Sequence, residues 1–173
     1  MSTSPTPTNV PLTQRAAVRA TLFNWLNTGN IENLNQILTS FPKRINFQVN
    51  SQPGQATRAA LVIFIQSERE ERIAIGGAHN GWKRVDYGVV LQVFQHSLKR
   101  DSQEVMDDFD ILIDSIKARL RSDHNFGDDS GTLVWQGAEP NINGTYGEPL
   151  SLENGSTEIW AQLEFDVTQM IQA

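Results

Sequence analysis

The chain has 173 residues, enough for one domain with a real core and too few for two independent ones. Hydrophobic residues at 39% and charged residues at 20% exclude wholesale disorder, and a formal net charge of −6 excludes a global basic footprint for nucleic acid. No cysteine occurs, which removes disulfides, thiol catalysis and zinc–thiolate sites together.

Residues 1–11 read as a Ser/Thr/Pro-rich arm, mobile or ordered by a partner, ahead of a single domain over 12–173. The arm has neither a basic start nor an apolar run, so no signal peptide is expected. The longest apolar run, Ala59 to Ile65, is far below the roughly 20 residues that cross a bilayer, so we expect a soluble protein with no membrane partner.

Thr13 is a candidate N-cap for a first helix whose stripe is Val18, Leu22, Trp25 and Leu26, with Gly29 as its stop. Ile31, Leu34, Leu38 and Phe41 then suggest a second short helix ended by Pro42, which would complete an αα-hairpin. From Arg44 the period changes to two. Ile45, Phe47 and Val49 alternate with polar residues, as in a half-buried strand, and Ser51-Gln52-Pro53-Gly54 is turn chemistry.

Residues 57–68 predict a longer strand whose continuous apolar centre implies burial on both faces. A short strand over 72–76 and the loop 77–81 follow, with Asn80-Gly81 as a hairpin signal. Residues 83–97 return as a strand with Val85, Tyr87, Val89, Leu91 and Val93 on one face. The best-specified element is a helix over about 102–121. Asp101 and Glu104 have capping-box spacing, and Val105, Phe109, Leu112, Ile113, Ile116 and Leu120 share a face.

After a polar loop, 122–131, a strand is expected over 132–136. A long Gly/Asn/Pro-rich excursion, 137–155, leads to a last strand in which Ile159, Ala161, Leu163, Phe165 and Val167 alternate with polar residues and Trp160. The order ααββββαββ gives an α+β fold: a mainly antiparallel sheet packed by a long helix and an N-terminal helical hairpin.

Catalytic and metal chemistry find little support. His79, His96 and His124 are scattered and show no ligand spacing. Asp123, Asp128 and Asp129 lack the alternation and terminal glutamate of an EF-hand; a solvated loop, or weak cation binding, accounts for them. No nucleophile elbow or phosphate-binding glycine turn is found. Asp107, Asp108 and Asp110 read as the polar face of their helix. No cofactor is expected.

Other residues point toward a partner. Ile111 lies well off the core stripe of its helix, and Trp160 falls on the polar face of the last strand. Trp82 and Tyr146 sit in loops by this reading, and Trp82 with Lys83 and Arg84 forms the one basic spot beside an aromatic. Trp and Tyr are enriched as interface anchors, and a loop as long as 137–155 is usually functional.

Several segments together resemble the tail terminator (tail completion) proteins of long-tailed bacteriophages. They are Glu71–Gly77, Val85-Asp86-Tyr87, Val90–Phe94, Asp107–Ile116, Val134–Glu139, Tyr146–Pro149, Ile159-Trp160-Ala161 and Phe165-Asp166-Val167. The likeness spans roughly 12–173; the arm is not part of it. It implies a non-enzymatic virion protein of the tail or neck, assembled in the host cytoplasm. Such a protein forms a homo-hexameric ring that caps the tail tube, stops its polymerisation and meets the tail tube protein and a head-completion or neck protein. DNA would pass through the lumen without specific binding. Competing readings are a head–tail connector or head-closure neck protein, a small hydrolase with a non-local triad, and a monomeric protein-binding module using the 137–155 loop.

Overall fold

The computed structural model describes residues 14–73, 81–128, 133–135 and 141–172. The arm 1–11, Thr13, the loop residues 77–80 with His79, and Asp129 lie outside them. Helix α1 (Gln14–Asn27) buries Val18, Leu22 and Leu26, the stripe its spacing predicts. Both the amide and the hydroxyl of Thr28 donate to the Asn24 carbonyl at its end, and the Gly29 amide donates to Leu26.

No second helix follows. The segment carrying Leu34 and Leu38 is a strand, β1 (Leu34–Leu38), so the expected helical hairpin is corrected to a helix and a parallel edge strand. Two residues explain the change. Asn30 and Asn33 adopt positive φ, 47° and 62°, which a helix cannot continue through and which asparagine tolerates better than most residues. The Asn35 side chain then joins β1 to its surroundings, donating to the Asn50 carbonyl and accepting from the Ala59 amide. Residues 44–50, expected as a strand, form turns instead. The position beside the next strand is already held by β1, and the Asn46 side chain and carbonyl accept from the amides of Gln48 and Val49.

Strands β2 (Thr57–Arg72) and β3 (Trp82–Ser97) form one long antiparallel hairpin. The strand expected over 57–68 runs on to Arg72 with a bulge between Ile65 and Ser67, where Gln66 is the extra residue; of the short strand expected over 72–76, residues 74–76 lie outside the described residues. After α2 (Ser102–Arg121) come three short strands, β4 (Leu133–Trp135), β5 (Asn143–Tyr146) and β6 (Leu150–Ser151). All three pair with the long last strand, β7 (Thr157–Gln172). The excursion before β7 is therefore partly strand. The fold is mixed α+β: a mostly antiparallel seven-stranded sheet in the order β1-β2-β3-β7-β4, with β5 and β6 also on β7, and two helices.

The alternation of β2, β3 and β7 sorts their side chains between two faces. On the inner face Leu61, Ile63, Tyr87, Leu91, Leu163 and Phe165 join one core with both helices. Helix α2 supplies the six apolar residues its sequence pattern predicts, all buried. Its N-cap Asp101 accepts from the Gln103 and Glu104 amides at 2.8 and 3.2 Å. The helix is tied to the sheet at both ends. The Gln95 side chain donates to the Val105 carbonyl, and the Trp135 indole donates to the Leu120 carbonyl.

A reciprocal clamp joins the two helices. The Trp25 indole N–H donates to the Arg119 carbonyl at 2.9 Å, and Arg119 Nε donates to the Trp25 carbonyl at 2.8 Å. The guanidinium lies 3.4 Å above the indole ring and also donates to Thr28 Oγ1. Gly127, at φ +67°, lies against the Trp25 ring, where a side chain would collide with the indole. Arg119→Ala removes a cation–π contact and two charged donors, and we expect it to lower the unfolding free energy by about 2 kcal/mol in urea titration. Arg119→Lys should recover less than half of that loss, because an ammonium cannot stack and fork at once. A loss below about 0.5 kcal/mol in the alanine variant would show that the clamp contributes little.

Candidate interaction surface

The outer face of the sheet is less uniformly covered than the inner one. The registers place its side chains in cross-strand rows: Arg58, His96 and Glu158, then Ala60, Phe94 and Trp160, then Val62, Gln92 and Gln162, then Phe64, Val90 and Glu164. Beyond the bulge the rows continue with Ser67, Gly88 and Asp166, then Arg69, Asp86 and Thr168, and reach Ile73 and Trp82. Near β1 this face is partly roofed by the loop after that strand. Phe41 packs on Phe64 at 5.1 Å and Phe47 stacks on His96 at 5.3 Å.

Between that loop and the turn before β7 lies an open groove. It comprises two hollows of about 790 and 360 Å3 that share Phe47, Phe94 and Glu158. Leu152 and His96 line the larger, Leu150 and Trp160 the smaller. Trp160 is 41% and Leu150 59% exposed, an unusual state for large apolar side chains standing together. The indole is fixed from behind: the Gly147 amide donates to the Trp160 carbonyl, and a side chain at Gly147 would run into the ring.

The six residues singled out in the sequence do not form one patch. Trp160 sits in the groove. Tyr146, on β5, is exposed; its hydroxyl accepts from Lys117 Nζ at 2.8 Å, so it leans toward α2. Ile111 is 59% exposed on the solvent side of α2. Trp82 opens β3 at the far end of the sheet, beside exposed Ile73. Lys83 pairs with Glu70 at 2.6 Å, and Arg84 with Asp86 at 2.9 Å. Trp82 was expected in a loop and is the first residue of a strand. Phe47, Phe94, Leu150 and Ile73 were not anticipated. Phe94 had a signal, since the alternation that turns Val93 inward turns Phe94 outward.

No protein-family model matches the chain, and a search of curated proteins finds no match.

The polar clusters are built into the fold. Asp108, read as simply part of a solvated face, instead accepts from Thr57 Oγ1 and pairs with Lys99, each at 2.8 Å, which fastens the start of α2 to the ends of β2 and β3. Asp123 accepts from the Gly127 and Asn125 amides, and Asp128 from the Leu133 amide, so these carboxylates shape their loop. Among the described residues no three His, Asp or Glu side chains stand together as metal ligands. His96 Nδ1 lies 3.4 Å from Glu158, and His124 is exposed.

Asp86 is the most closely held carboxylate of the outer face. Burial raises its pKa, but hydrogen bonds from Arg84 and Thr168 and the charge of Arg84 outweigh that, leaving it below the usual aspartate value. A depressed carboxylate stabilises the fold above its unfolded pKa, about 4, and that contribution is lost as pH falls through the folded value. Asp86→Asn should therefore flatten the decline of unfolding free energy below about pH 4. An unchanged acid limb in chemical denaturation would show that the Arg84–Asp86–Thr168 cluster does not set it.

Proposed function

We propose that this chain is a structural protein of a long-tailed phage virion that assembles as a ring, caps the tail tube and joins it to the neck. The observation that carries the reading is the placement of exposed apolar side chains. Trp160 and Leu150 lie at one end of the long sheet and Trp82 with Ile73 at the other, and Trp82 and Phe94 are twelve positions apart on β3. At about 3.3 Å per residue the ends are about 40 Å apart. A closed ring needs two different patches on each subunit, one for each neighbour, and self-complementary dimers need only one. The likeness to tail terminators in the segments around Ile73, Phe94, Asp108, Tyr146 and Trp160 supplies the rest.

The chain's chemistry supports a structural role. The polar side chains that a catalyst would need exposed are engaged in holding elements together: Asp108 on Lys99, Asp123 on a loop amide, Asp86 on Arg84. The net charge of −6 suits a lumen that lets DNA pass without gripping it.

The deciding measurement is the mass of the purified protein alone and after mixing with purified tail tubes of a long-tailed phage, followed by negative-stain imaging. The reading expects particles near six times 19.4 kDa, bound at tube ends. A twelvefold ring would move the protein to the connector side of the neck. A strict monomer that ignores tubes would overturn the ring altogether and favour a binding module.

A further inference from the structure

We infer that the β2–β3 end of one subunit, led by Trp82 and Ile73, seats in the Phe94–Trp160 groove of the next copy; the inference rests on the ring-forming reading above. Three observations select a second copy of this chain as the occupant. The first is reach. Trp82 and the groove lie on the same face of the same rigid strands, about 40 Å apart, so they cannot meet within one subunit. Each is nonetheless an exposed apolar patch that water disfavours.

The second is fit. The smaller hollow, about 360 Å3, is walled by Phe47, Phe94, Leu150 and Trp160, an aromatic and aliphatic surround suited to one large ring. The third is charge. Glu148 and Glu158 border that hollow, and Arg84 shares the outer face with Trp82. Arg84 holds Asp86 through Nε alone, which leaves its terminal nitrogens as donors for a neighbour's carboxylate. The patch and the groove are different surfaces of the subunit, so the contact is head-to-tail.

The area explains why such a contact would work in a closed ring. A buried Trp contributes about 150–250 Å2, well short of the roughly 800 Å2 per partner of a stable pair. A single contact is weak; its repetition around a ring is self-supporting.

The absence of native cysteine makes the test clean. Trp82→Cys and Leu150→Cys are made separately and together, circular dichroism is compared with wild type, and each is treated with a short bismaleimide. Either single variant alone should stay monomeric on a denaturing gel, a mixture of the two should give a dimer, and W82C/L150C should give a ladder ending at the ring. Ile73→Cys in place of Trp82→Cys should reproduce the pattern. A single variant that cross-links to itself as well as the mixture does would overturn the head-to-tail contact. So would a double variant that stays unlinked while light scattering shows an oligomer, an outcome that leaves the ring reading standing. Unlinked protein that is also monomeric at every concentration and with tail tubes would overturn both.

Discussion

Strand β3 is paired along its whole length on both sides, with β2 over Thr57–Arg72 and with β7 over Thr157–Gln172. That double pairing is the constraint from which the other features follow. Sixteen residues held between two equally long neighbours cannot slip by one position without turning Val85, Tyr87, Val89, Leu91 and Val93 out of the core. The same rule sends Trp82, Arg84, Asp86, Phe94 and His96 to the other face. The bulge at Gln66 adjusts β2 partway along, so that Ser67, Arg69 and Ile73 continue the outer rows after the even-numbered residues Arg58 to Phe64. One sheet thereby serves two purposes: an inner face roofed by helices, and an outer face whose ends keep apolar side chains in water.

The helices are fixed by polar contacts as much as by burial. Helix α2 meets the sheet through its six apolar residues, but its position along the strands is set by Asp108 with Lys99 and Thr57 at one end and by Trp135 at the other. Helix α1 buries three residues and is held to α2 by the Trp25–Arg119 clamp. Both partners of that clamp satisfy a carbonyl near a helix C-terminus, where backbone acceptors lack helical partners. A charged side chain stacked on an indole answers two needs there, covering the ring and filling the acceptors.

The elements legible in the sequence are those whose signals are local. The α2 boundaries follow from Asp101 and the stripe from Val105 to Leu120, and β3 and β7 from long alternation. Strand β1 was not legible, because Ile31, Leu34, Leu38 and Phe41 fit a helical period and nothing local announces a partner more than twenty residues away at Ala59–Val62. Segment 44–50 shows the reverse. Its alternation is real, since Ile45, Phe47 and Val49 are the less exposed residues, yet the backbone turns and Phe47 lies over His96. Of the surface, Trp160 could be found from its phase. The groove could not, since Phe47, Phe94 and the Leu150–Trp160 pair are gathered from three distant parts of the chain.

The sheet's two edges bear on how such a molecule would meet its neighbours. The β7 edge is occupied in succession by β6 at Thr157 and Glu158, β5 at Ala161–Glu164 and β4 at Val167–Gln169. On the other side β1 covers β2 as far as Val62, and beyond that no described strand pairs with it. An open edge normally invites another chain; this stretch starts with Ile63-Phe64-Ile65, where Phe41 packs on Phe64, and from the bulge onward reads Ser67-Glu68-Arg69-Glu70-Glu71-Arg72. Dense charge and a bulge are the devices by which edge strands resist indiscriminate pairing. Arg15 guards the start of the stretch, donating to the Ile65 carbonyl and pairing with Glu68. With the edges largely covered or charged, side chains are the surface left for recognition, and the large exposed apolar ones near the ends of the long strands include Trp82 with Ile73, Trp160 with Leu150, and Leu98. In the ring proposed above, order in assembly would come from side chains at two separate sites, with the charged part of the β2 edge, which could link copies without limit, kept out of use.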